Sequence, residues 1–204
     1  MGACSNSSLQ RLKLFNSVVT PVMLYGCGTW ALKVDQLRRI QTEQRKMLRV
    51  MVGMGRRRVQ PTETDSECSV TGESDDEELQ EESDHDLILE DWVAWIKRTT
   101  DFAEKHLAKA CITGWVTEQR KRYWQFAGKI ARHSDDRWSA LILTWRPQGG
   151  VRNVGPPCKR WLDDIAKFHV KTLSVPADDW YFNAQDENTW KELEKQFVET
   201  LPIE

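Results

Sequence analysis

Residues 115–132 read "WVTEQRKRYWQFAGKIAR". At 100° per residue, Val116, Gln119, Tyr123, Phe126, Ala127 and Ile130 share one face, while Lys121, Arg122, Lys129 and Arg132 point away from it. This spacing predicts an amphipathic helix over about 115–133 with a core side and a cationic side. The same period recurs outward in both directions, and no segment alternates convincingly with period two.

Before this stretch, Trp92, Ile96, Thr99, Ala103, Leu107 and Ala110 fall on one side of a helix over about 88–111, capped by Asp91 or an earlier acid and closed by a break at Gly114. After it, Trp138, Leu141, Ile142 and Trp145 predict a helix over 135–145, stopped by Pro147 and the Gly149-Gly150 pair. Pro156 and Pro157 suit the start of a helix over 157–170 that buries Trp161, Ile165 and Phe168. A final helix over 186–200 carries Trp190, Leu193, Phe197 and Leu201 at its end. Nearer the amino terminus, a helix over 9–22 meets Pro21, and Gly26 and Gly28 signal a turn. Leu37, Ile40, Gln44, Met47, Met51 and Met54 then form a narrow seam on a helix over 35–54, ended by Gly53 and Gly55. Ten tryptophans in 204 residues is an unusual load, and Trp30, Trp92, Trp138, Trp145, Trp161 and Trp190 are assigned to the packed interior.

The net charge of -2 averages over regions that differ sharply. Residues 1–58 carry eleven basic and two acidic side chains, residues 59–96 none and fourteen, and residues 97–171 sixteen and seven. Within the acidic block, "PTETDSECSVTGESDDEELQEESDHD" has almost no large apolar residue, so it is expected to be disordered. Thr64, Ser74 and Ser83 each have an acidic residue three positions on, a pattern that acidophilic kinases accept. The block reads as a solvated spacer, or as an anionic mimic that screens the basic flanks. The expected architecture is therefore mainly α: two small helical pieces, residues 1–58 and 87–204, joined by an acidic linker over 59–86.

Several classes of function find no support. Five dispersed cysteines give neither a CxxC clamp nor a paired secretory framework, and reduced thiols in an intracellular setting, nuclear or cytoplasmic, are expected. The chain has neither an apolar run long enough to span a bilayer nor a signal-peptide pattern. HExxH, phosphate-loop and G-x-S-x-G motifs are missing, the four histidines stand singly, and Asp163 and Asp164 have no third ligand close in sequence. No catalytic centre, metal site or cofactor is expected.

What the chain does have is cations interleaved with aromatics, as in "RKRYW", "DRW", "TWR" and "KRW". Cations release counterions from phosphates and aromatic faces stack on unpaired bases, so the composition suits RNA or single-stranded DNA. Arg45, Lys46, Arg49, Arg56, Arg57, Arg58, Lys121, Arg122, Lys129, Arg132, Lys159 and Arg160 are the candidate phosphate contacts. A different class of partner, a protein helix, would suit the Met47, Met51 and Met54 seam, since methionines adapt readily to partners.

The order of motifs resembles the carboxy-terminal region of reverse transcriptases from non-LTR (LINE-type) retrotransposons. "LKLFNSVVTPVMLYGCGTWAL" looks like the segment ending in Y-G-x-x-x-W after the polymerase palm, and "LRRIQTEQRKMLRVMVGM" like the helix that follows it. "DWVAWIKRTT", "WVTEQRKRYWQFAGKIAR", "DRWSALILTWRP", "GPPCKRWLDDI" and "ENTWKELEKQF" then come in family order, so the resemblance covers nearly everything but the acidic linker. Three positions depart from it: Gly128-Lys129 for Gly-His, Gly155-Pro156-Pro157 for Gly-Arg-Pro, and Asp186-Glu187 for Asp-Arg. The resemblance implies thumb helices that track template and primer and a carboxy-terminal region that grips RNA. The palm with its metal-binding aspartates is not in this chain, so the resemblance implies a non-catalytic fragment, either a piece of a larger reading frame or a truncated, decaying element copy with no selected function.

Overall fold

The computed structural model describes residues 3–59, 88–133, 138–144 and 159–200, apart from the side chains of residues 3–8, 139, 140 and 144. In order these form α1 (Ala3–Met23), a 3₁₀ turn (Cys27–Thr29), α2 (Val34–Val52), β1 (Arg58–Val59), β2 (Ile88–Leu89), α3 (Trp92–Lys109), α4 (Trp115–Arg132) and α5 (Trp138–Thr144). They continue with α6 (Asp163–Phe168), a π turn (His169–Leu173), a second 3₁₀ turn (Ala177–Asp179), α7 (Trp180–Gln185) and α8 (Glu187–Glu199). The protein is mainly α, as its periodicity predicts. Thr64, Ser74, Ser83, Trp145, Pro156 and Pro157 lie outside the described residues.

Helix ends follow local chemistry. Gly53 takes up the left-handed conformation, φ 67°, and ends α2 within two residues of the expected position. Asp91 caps α3, its Oδ2 accepting the amides of Val93 and Ala94 at 2.9 and 3.1 Å. The helix starts four residues later than expected because Ile88 and Leu89 pair antiparallel with Val59 and Arg58. The helix expected from residue 157 is formed only from Asp163, whose carboxylate accepts the Arg160 amide at 2.7 Å.

α4 is the central element, and it is buried on two sides rather than one. Tyr123, Trp124, Ala127 and Ala131 belong to a cluster with Ile165, Phe168, Trp180, Ala184, Trp190 and Phe197 from α6 to α8. At its amino end, Trp115 joins a second cluster with Leu12, Phe15, Leu24, Cys27, Leu48, Ala103 and Leu107. That second cluster draws on residues before position 60 and after position 87, so helices from both stretches share one core. Trp115 fixes the junction: its ring stacks on Phe15, its indole N–H donates to Thr20 Oγ1 at 2.9 Å, and its amide donates to Gln44 Oε1 at 3.0 Å.

The tryptophan assignment needs correction at two positions. Trp190 is buried and Trp30 and Trp161 pack against the clusters, but Trp92 is 59% exposed and Trp138 74% exposed. Each is the first residue of its helix, where the period is right but no described element lies over it. Trp115, Trp124 and Trp180 are buried instead. Phe126, placed on the buried face of α4, is exposed, while Arg120, Trp124 and Ala131 line the second buried side.

Candidate nucleic-acid interface

The carboxy-terminal end of α2, the two-stranded ribbon and the start of α3 come together around Glu90. Arg98 meets its carboxylate with two contacts, Nε to Oε1 at 2.8 Å and Nη2 to Oε2 at 2.6 Å. The Arg57 amide donates to Oε2 at 3.2 Å, and Arg56 Nε donates to the Glu90 carbonyl at 2.7 Å. The Arg98 guanidinium first, and then the Arg57 amide, hold the Glu90 carboxyl down to about 2 from an ordinary 4.5. Glu90 thus neutralises Arg98 and braces the ribbon.

Two adjoining grooves flank Met54 at this end. One is lined by Lys46, Arg49, Val50, Met54, Trp95 and Ile96. The other takes Arg57, Ala94, Lys97, Phe102 and Lys105 beside the Glu90–Arg98 pair, with Asp101 as a second acid. Trp95 is fixed by donating to the Met54 carbonyl at 2.9 Å, and Trp92, unused by the core, stands nearby on the first turn of α3. Lys46 pairs with Glu43 at 2.7 Å one turn away, an exposed contact of the kind that contributes little and exchanges readily. Arg45 and Arg49 lean across to α3, reaching Glu104 at 2.7 Å and Thr100 Oγ1 at 3.0 Å.

Cations expected on the open side of α4 are mostly engaged within the protein. Arg122 pairs with Glu118 at 2.7 Å and Arg132 donates to the Ala184 carbonyl at 3.0 Å. Lys121 lies 3.9 Å from Glu194, and Lys129 is exposed. Lys159, only 16% exposed at its side chain, pairs with Asp164 at 2.7 Å and donates to the Leu32 carbonyl. Trp161 donates to the Gly28 carbonyl at 3.0 Å, so Lys159 and Trp161 together dock the Gly28 turn and leave Arg160 exposed between them. A Cβ at Gly28 would stand 3.2 Å from both the Arg122 carbonyl and Phe126 Cβ, a tight approach that glycine avoids. Asp163 accepts the Arg160 amide ahead of the helix, and Asp164 pairs with Lys159.

The structure therefore gathers Lys46, Arg49 and Arg57 at one end, with Arg45, Arg56 and Arg58 close by in sequence, and separates them from the α4 set. It adds Lys97 and Lys105, which lie on the solvent side of α3. Their signal was the switch from an acidic to a basic run at Lys97. Of the methionine seam, Met51 packs against the second cluster and Met47 is exposed. Among the described residues no group of three His, Cys, Asp or Glu side chains could hold a metal ion, and no helix is long and apolar enough to cross a membrane.

The chain is similar to a protein of Caenorhabditis elegans described as uncharacterized and transposon-derived, with 25% identity over 185 residues that cover 88% of this chain and 52% of that protein. It thus spans about half the length of the curated relative it matches, and the similarity supports an origin in a transposon. No protein-family model and no solved structure matches.

Proposed function

We propose that the chain is a non-catalytic, nucleic-acid-binding remnant of a non-LTR retrotransposon reverse transcriptase, gripping RNA or single-stranded DNA through the α2, ribbon and α3 end. The observation that carries this reading is the grouping of Lys46, Arg49, Arg57, Lys97 and Lys105 around Met54, with Trp92 exposed on the first turn of the same α3. Cations supply sequence-independent phosphate affinity, and an exposed indole gives an unpaired base a stacking surface. The transposon-derived relative and the in-register motifs of the LINE-type carboxy-terminal region agree with it.

The test is binding of single-stranded RNA across a salt series. Each lost phosphate contact lowers the salt slope by about 0.7, so Lys46, Arg49, Lys97 and Lys105 changed together to alanine should flatten it by about 3. Trp92→Ala should weaken binding by about 1–3 kcal/mol with the slope unchanged. Absence of binding at low ionic strength sinks the proposal.

A second reading, a helical protein partner, draws on Met47 and on Val50, which is 81% exposed on α2. It requires binding to a protein that polyanions do not compete away.

A further inference from the structure

Arg120 is a charged side chain buried without a counter-charge. It is 4% exposed. Its Nη2 donates to the Phe197 carbonyl at 2.9 Å and lies 3.5 Å from that of Thr200, and its guanidinium stands 4.2 Å from the centre of the Phe197 ring. Its Nε has no hydrogen-bond partner. Burial pulls its pKa down, and the acid whose field opposes this, Asp164, is already paired with Lys159 at 2.7 Å. A guanidinium whose hydrogen bonds go only to carbonyls, with Asp164 committed to Lys159, is costly unless an anion completes it.

Beside it opens a pocket of about 240 Å³ lined by Arg120, Asp164, Lys167, Phe168, Lys171, Thr172 and Thr200. Among the described residues neither Lys167 nor Lys171 has an ion-pair partner. Lys171 and Thr172 belong to the π turn, a widened helical turn of a kind that often marks functional positions. Three cations and the Thr172 hydroxyl against one committed carboxylate make a donor set for an oxyanion rather than for a metal, the Thr200 hydroxyl being engaged with the Phe197 carbonyl at 2.9 Å.

We propose that this pocket binds a phosphate group, with the Lys167 and Lys171 ammonium groups and the Thr172 hydroxyl around it and Arg120 behind. Its source is either the phosphodiester of a polynucleotide or free phosphate. Only the first of these rests on the function proposed above.

The experiment uses the full chain and the double variant Lys167→Gln/Lys171→Gln, which alters side chains outside both hydrophobic clusters. Calorimetric titration with inorganic phosphate at constant ionic strength should show saturable binding to the wild type. The variant should bind about tenfold more weakly or worse, the scale of one lost charged hydrogen bond, with its melting temperature in chloride unchanged. Titration with short single-stranded RNA separates the sources. An RNA affinity that falls about tenfold in the variant and is competed by phosphate supports the polynucleotide, and an unchanged RNA affinity with lost phosphate binding supports free phosphate. The pocket is overturned when the variant matches the wild type towards both. Because the ribbon-end variant leaves these residues intact, loss of RNA binding there with retention here would overturn the polynucleotide as the source and spare the interface.

Discussion

A methyl group at Gly128 would stand 2.4 Å from the Trp190 indole nitrogen and 2.6 Å from its Cδ1. That indole has nowhere to go. It lies on the Trp124 ring at 3.7 Å with 7° between the planes, and each ring donates to the other residue's carbonyl, at 2.9 and 3.0 Å. Gly128→Ala should therefore cost about 3 kcal/mol in urea unfolding, the upper end for overpacking. Lys129→Ala, one residue on and exposed, should stay within about 0.5 kcal/mol. Trp190 was legible from the period of α8. Trp124 was not, because a single-face pattern hides a helix buried on two sides, and Arg120 among its apolar neighbours pushed that side towards solvent in any hydropathy reading. Gly128 showed only as a departure from Gly-His at its neighbour; nothing in a linear chain says which ring a glycine makes room for.

Among the elements, the ribbon of Arg58–Val59 and Ile88–Leu89 fell below any periodic signal, since two residues cannot display alternation. Its brace, Glu90, was read as one more acid at the end of an acidic block, whereas Asp91 was legible as a cap because the helix after it is long and regular. The two acids differ in partner: Asp91 meets amides and Glu90 meets Arg98. Because Glu90 titrates lower in the folded protein than in the unfolded chain, its contribution is complete above about 4.5 and fades as pH falls towards about 2. Urea unfolding at a series of pH values should show wild type more stable than Glu90→Gln near neutrality, with the gap narrowing across that acid window. A gap independent of pH would mean that the Arg98 pairing contributes through shape alone. α6, expected from residue 157, starts late for a similar reason: Lys159 and Trp161 are held by the Gly28 turn, more than a hundred residues upstream, and a local pattern cannot register so distant a tether.

At the scale of the molecule, helix content was legible and the relation of the two ends was not. Charge and low complexity divided the chain at residues 59–86, yet Leu12, Phe15, Leu24 and Leu48 pack with Ala103, Leu107 and Trp115 across that division. Surface composition reports where a chain is solvated, and says nothing about which buried faces find each other. The ribbon has one further consequence. Strands β1 and β2 bring the start and finish of the acidic stretch side by side, so covalent continuity through it is dispensable to the packing on either side. A single protease cut between residues 60 and 87 should yield two polypeptides that still co-elute and unfold together, and that separate only in denaturant. Two genes, each encoding one of them, would then rebuild by association what the intact reading frame makes by connection.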